Sequence, residues 1–227
     1  MTPQKPAPRL YLVTPALGDT AAFARELSAA LEAGDVAAVL LRLEDADERT
    51  LINRAKATAA IVQRRDVALL LDGRAEIVAR AGADGAHLSG IVALEAALPM
   101  LKPDRIAGAG GLISRHDAMV AGERGADYVM FGEPPWFRAA HAGEGLGTGR
   151  RPPLDVMLER IAWWAELFQP PCIGYAADLE EVGALTQAQA DFVALGDWVW
   201  THAQGPAAAV AAAASPFPAT AGKGDRA

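Results

Sequence analysis

Cysteine is almost missing from this chain of 227 residues: Cys172 stands alone. No disulfide can form within the chain, and a reducing, cytoplasmic setting is the simplest expectation. At Cys172 itself a small apolar residue beside a buried strand is expected rather than a nucleophile. An excess of positive charge is missing too. Lys and Arg number 21 against 28 Asp and Glu, for a net charge of −7. No basic field is available to track a phosphate backbone, which excludes nucleic acid as an expected partner. Long apolar runs are also lacking, so no membrane span is expected. Residues 1–9 carry three prolines but no apolar stretch of signal-peptide length.

What is present is a globular composition, 52% hydrophobic and 22% charged, in a length suited to one domain. One phrase recurs four times: a small residue, an Asp, then a short apolar run. It appears as Gly34-Asp35-Val36, Ala83-Asp84-Gly85, Ala126-Asp127-Tyr128 and Ala190-Asp191-Phe192. Each copy follows a segment with helical spacing. The pattern reads as a helix end, a tight turn at Asp, and a strand buried on both faces.

Strands are predicted over 9–14 (stopped by Pro15), 36–42, 67–72, 85–88, 105–109, 128–131, 171–175 and 191–195. Helices fall between them: from Asp19-Thr20 to 31, over 47–64, 73–81, 93–101, from an N-cap at Ser114 to 123, over 155–168 and 178–185, and from Trp198 to 214. Phe23, Leu27, Ala30 and Leu31 share one face of the first helix; Leu51, Ala55, Thr58, Ala59 and Val62 share one face of the second. The Gly- and Pro-rich stretch 133–153, with Trp136, Phe137, Arg138 and His141, shows no periodicity and reads as a long loop, either a functional lid or disordered.

Eight strands alternating with helices in one domain predict an α/β fold, a (β/α)8 TIM barrel over 9–214, with a flexible segment at 1–8 and a disordered tail at 215–227. A doubly wound open sheet is the competitor, but Thr14-Pro15-Ala16-Leu17-Gly18 is not its Gly-rich phosphate turn.

A barrel carries its site at the C-terminal strand ends. These hold Thr14, Arg42, Asp72, His87, the run Gly108 to Gly111, Glu133, Gly174-Tyr175 and Gly196-Asp197. Arg42 calls for an anionic ligand or an ion pair with Asp72. His87 and Glu133 are the acid–base candidates, each also readable as an ordinary residue of the barrel mouth. Gly174 and Gly196 permit close approach of a phosphate to backbone N–H groups, which Asp197 opposes, and Gly110 and Asp72 are further substrate-binding candidates. Asp72 stands alone as a carboxylate among the strand ends near it, so no metal site is expected.

Tyr11-Leu12-Val13-Thr14, Leu41-Arg42, Asp72-Gly73-Arg74, Gly82-Ala83-Asp84-Gly85-Ala86-His87-Leu88 and Gly125-Ala126-Asp127-Tyr128-Val129-Met130-Phe131-Gly132 occur in that order. Together they resemble the thiamine phosphate synthase and thiazole tautomerase (TenI-like) superfamily. The resemblance implies a phosphorylated small-molecule ligand, a thiazole phosphate, which the synthases join to a pyrimidine diphosphate with Mg2+ and release of pyrophosphate.

Several family positions differ. Leu40 and Glu44 replace a Gln and a Lys around Arg42, and Gly73 and Val92 replace two Mg2+-binding Asp residues. No Thr or Lys follows strand six, although Arg138 supplies charge, and the Gly-Gly after strand seven is Gly174-Tyr175. The implied function is therefore a synthase-like barrel of thiamine biosynthesis or salvage with no cofactor, unless an atypical Mg2+ site exists. The alternatives are a metal-free tautomerase-like isomerase, in which Glu133 takes the place of the family's acid–base His, and a non-catalytic ligand-binding barrel. Trp136, Trp198 and Trp200 either stack on a flat heterocycle or pack the barrel mouth. A homo-oligomer is compatible with all three.

Overall fold

The computed structural model describes residues 6–134 and 151–215. The expectations for Trp136, Phe137, Arg138, His141, residues 1–5 and residues 216–227 fall outside them. The described elements are β1 (Arg9–Leu17), α1 (Thr20–Glu32), β2 (Val36–Leu43), α2 (Glu48–Val62), β3 (Ala68–Asp72), α3 (Val78–Ala81), β4 (Gly85–Ser89), α4 (Ile91–Leu101), β5 (Ile106–Gly110), α5 (Arg115–Glu123), β6 (Tyr128–Phe131), α6 (Leu154–Leu167), β7 (Cys172–Ala176), α7 (Leu179–Gln187), β8 (Phe192–Leu195), α8 (Asp197–Trp200) and α9 (Pro206–Ala214). The strands pair in chain order, and β8 closes on β1 in a fully parallel barrel. The (β/α)8 expectation is therefore met.

The recurring Asp has a specific task. Just before β4, Asp84 donates its backbone N–H to the Leu69 carbonyl at 2.8 Å, and its carboxylate accepts the Leu69 N–H at 2.7 Å. Asp127 clasps Ala107 in the same way before β6, and Asp191 clasps Cys172 before β8. Each clasp satisfies both polar groups of a residue at the start of the preceding strand. The first copy differs, because the Asp35 carboxylate accepts the Arg9 Nε–H instead.

Alternation along the strands makes two cores. Leu10, Leu12, Val39, Leu41, Leu69, Leu71, Val129, Phe131 and Cys172 point outward, against the helices. Their partners include every apolar helix position predicted for α1 and α2. Tyr11, Val13, Leu40, Leu70, Tyr128, Met130, Ile173 and Tyr175 point inward and fill the barrel.

Two boundaries depart from the periodicity. β1 continues through Pro15 to Leu17, because its pairing with β2 shifts register between Val13 and Ala16 and so tolerates a residue without an N–H. The helix predicted from Trp198 to 214 is two helices. Gly205 separates them with φ +85, and Pro206 opens α9.

Candidate active site

The inward alternation continues past the apolar layers to the C-terminal strand ends, where it delivers Arg42, Asp72 and His87 from three successive strands. Gly132, with φ +89, follows β6 and precedes Glu133. A Cβ on Gly132 would stand 1.9 Å from Met157 Sδ, so the turn requires glycine twice over. Arg151 braces the same turn. It donates to the Gly132 carbonyl and to the Tyr175 carbonyl, both at 2.7 Å, and pairs with Glu181.

Glu133 is 4% exposed and His87 is fully buried. The Gly111 N–H donates to Glu133 Oε1 at 2.9 Å, and that oxygen lies 3.6 Å from His87 Nε2. On the other side of the ring, His87 Nδ1 is 2.9 Å from the Tyr128 hydroxyl, itself 3.0 Å from the Tyr11 hydroxyl. Gly110 is a condition of this arrangement. A Cβ there would come within 1.9 Å of Glu133 Oε1 and 2.4 Å of His87 Nε2. A carboxylate and an imidazole facing each other away from water are groups of the kind that general acid–base chemistry uses.

Arg42 and Asp72 make a second pair, with Nε 3.5 Å from Oδ2 and side chains 13% and 5% exposed. The ion-pair alternative is thus realised, and the guanidinium stays at the mouth end of β2. Thr14 accepts the Arg42 N–H at 3.0 Å and fixes its height. The structure brings His87, Glu133 and Gly110 together and sets Arg42 beside Asp72.

Gly174 and Gly196 take other positions. Gly174 sits on the outward face, where a Cβ would meet Leu185 and Ile161 at 2.6 and 2.9 Å. Gly196 leaves room for the Tyr175 hydroxyl, which a Cβ would approach to 1.7 Å. Trp198 and Trp200 pack. Their indole N–H groups donate to the Ala176 and Val13 carbonyls, and Trp200 lies 4.7 Å from the Phe23 ring.

Burial drives the phenols of Tyr11, Tyr128 and Tyr175 well above the ordinary value. For Tyr175 the Asp197 charge adds to that rise, while Arg42 and Arg151 oppose it. Sequence reasoning passed over Tyr11, Tyr128 and Arg151. The inward positions of both tyrosines and the glycine at 108 were the available signal. A Cβ on Gly108 would stand 2.0 Å from the Tyr128 ring.

The Mg2+ implied by the resemblance is not matched by these donors. Asp72 is buried against Arg42, Gly73 has no side chain, and Val92 is 83% exposed at the start of α4. Among the described residues no group of three or more His, Cys, Asp or Glu residues is arranged to hold a metal ion. Nor is any described helix long and apolar enough to cross a membrane.

Comparison with known proteins fits this geometry. The chain is 41% identical over 210 residues to a thiamine-phosphate synthase of Rhodospirillum centenum, covering 89% of this chain and 94% of the relative. It is 38% identical to that of Hyphomonas neptunium, covering 92% and 93%. The fold matches thiamine phosphate pyrophosphorylase from Pyrococcus furiosus with a TM-score of 0.72 at 20% identity, over 92% of this chain and 94% of that one. The sequence profile described as thiamine monophosphate synthase matches residues 10–144. With its barrel, its ordered strand-end residues and its full-length relatives, the chain belongs to the thiamine monophosphate synthase family.

Proposed function

We propose that the protein is an enzyme of thiamine biosynthesis that takes a thiazole phosphate in the barrel mouth and joins it to a pyrimidine diphosphate with release of pyrophosphate. The observation that carries this reading is full-length similarity to two proteins named for that reaction, in a chain that keeps a guanidinium at the mouth end of β2. Arg42 is the anion-pairing group, as a delocalised cation 13% exposed beside Asp72 suits a phosphate oxygen. No dedicated Mg2+ site is proposed.

The test is stoichiometric pyrophosphate release from the two substrates together, assayed with Mg2+ and with chelator. Release that requires both substrates is expected. Absence of release with Mg2+ present removes the synthase reading.

A second reading is favoured by the buried His87–Glu133 pair: metal-free isomerisation of a thiazole carboxylate phosphate, with Glu133 as base. In that reaction Glu133→Gln lowers turnover by roughly 100-fold or more. An unchanged rate rules out Glu133 as the base.

A further inference from the structure

We infer that Tyr128, backed by Tyr11, is a positioning residue that donates to His87 Nδ1 and so holds the ring with its Nε2–H turned toward Glu133. The inference rests on the placement of His87 and Glu133 in the site, and it applies to either reaction above.

The strand register builds the contact. His87 on β4 pairs with Gly108 on β5, and Gly108 pairs with Tyr128 on β6, so the three lie in one row across the sheet. Because Gly108 has no side chain, the Tyr128 ring passes over it and stacks on the imidazole, with centroids 5.7 Å apart and planes at 18°. Tyr11 reaches in from β1 and meets Tyr128 edge-on at 6.0 Å. Toward the N-terminal end of the barrel, the two tyrosines line a cavity of about 350 Å³ with Ala38, Ala68, Leu70 and Ile173.

The direction of the hydrogen bonds follows from the Glu133 end. A carboxylate only accepts, and its Oε1 lies 3.6 Å from His87 Nε2 in a place without exposure to bulk water. A bare Nε2 lone pair there would face the carboxylate oxygen, an unfavourable contact at low dielectric. A proton on Nε2 makes the contact attractive. In the neutral ring Nδ1 is then the acceptor, the Tyr128 hydroxyl donates to it across 2.9 Å, and the Tyr128 oxygen accepts from Tyr11 across 3.0 Å. The phenol of Tyr128 is buried and holds its proton throughout the neutral range. Four groups carried by three strands, β1, β4 and β6, thus form one oriented chain, Tyr11 to Tyr128 to His87 to Glu133.

The test reads the imidazole directly. Protein labelled with 15N-histidine is examined near neutral pH without substrate by long-range proton–nitrogen correlation, with the His87 signals identified by their loss in His87→Gln. The expected spectrum has a protonated Nε2 and an unprotonated Nδ1. Tyr11→Phe keeps that tautomer and the Nδ1 resonance, because Tyr128 still donates, whereas Tyr128→Phe keeps the Nε2–H that Glu133 selects and moves the Nδ1 resonance downfield as its hydrogen bond is lost. Turnover of Tyr128→Phe falls about tenfold, the equivalent of one lost hydrogen bond, with KM little changed.

A proton on Nδ1 in the wild-type protein overturns the inference, as does a Tyr128→Phe spectrum identical to wild type. Should Tyr128→Phe fail to fold, the wild-type and Tyr11→Phe spectra decide, and Nδ1–H in either is fatal. Since the spectrum needs no substrate, the tautomer is judged separately from either reaction.

Discussion

The chain has three tyrosines, and all three lie inside the barrel at 2%, 5% and 4% exposure. Raising the pH is therefore a perturbation aimed at one layer of the structure. Burial lifts the folded-state pKa of each phenol above its unfolded value of about 10. For a group raised in this way the stabilisation is complete below the unfolded pKa and is lost as pH climbs toward the folded one.

Each phenol kept neutral while its unfolded counterpart ionises costs about 1.4 kcal/mol of stability per pH unit above about 10. Three together cost roughly 4 kcal/mol per unit, and two units above the ordinary phenol value remove roughly 8 kcal/mol. That approaches the whole stability of a typical domain, about 5–15 kcal/mol. Tyrosinate absorbance and circular dichroism should therefore stay native past pH of about 10 and then change together in one transition by about pH 12. A phenolate that appears near its ordinary pKa while the circular dichroism remains native would refute the argument, because a tyrosine would then ionise within the intact barrel.

Two further outcomes follow from close packing and from the Asp clasps. Gly110→Ala forces Glu133 and His87 apart, so turnover drops by roughly 100-fold or more while melting records a loss of about 1–3 kcal/mol; full activity would mean that the pair is not used. Asp84→Ala and Asp191→Ala each remove an acceptor from a strand N–H and lower stability by about 1–2 kcal/mol, and their effects add in the double variant because the clasps lie on different strand pairs. Denaturant midpoints check both values.

The strand count and the buried helix faces were legible because they depend on periodicities that survive in any sequence. Even so, the Asp repeat was readable only as a turn signal. Its second role, clasping a residue at the start of the preceding strand, is a contact between segments about 15–20 residues apart, which no local pattern encodes. Glu133, His87 and Gly110 were selected by their place at strand ends, and the structure brings the three together. Gly174 was found by the same rule, yet its position on β7 faces the helices, since the rule ignores which side of a strand a residue occupies. Tyr11 and Tyr128 were read as apolar filler. Strict alternation from Tyr11 and Tyr128, combined with the empty position at Gly108, would have placed two hydroxyls beside His87.

Small residues on one strand opposite large polar ones on the next explain how this barrel carries so many ionisable groups without a metal ligand set among its described residues. Gly108 admits Tyr128, Gly110 admits the Glu133–His87 contact, and Gly196 admits the Tyr175 hydroxyl. The charges that converge on that last hydroxyl are Asp197, Arg42, Arg151 and Glu133. Arg42 is matched by Asp72 and Arg151 by Glu181, so Glu133 and Asp197 leave this part of the mouth on the negative side of neutral. A phosphate monoester already brings about −1.5 to −2 of charge near neutral pH and has Arg42 to pair it, whereas a diphosphate brings more, and its recognition requires positive charge beyond the described strand ends. In the sequence, Arg138 and Arg150 lie within the segment that follows Glu133, next to the point where the family pattern of a Thr and a Lys is lost. The departure from that pattern therefore bears on the second substrate more than on the thiazole phosphate, and the two halves of the proposed reaction are unequally supported by the residues at the barrel mouth.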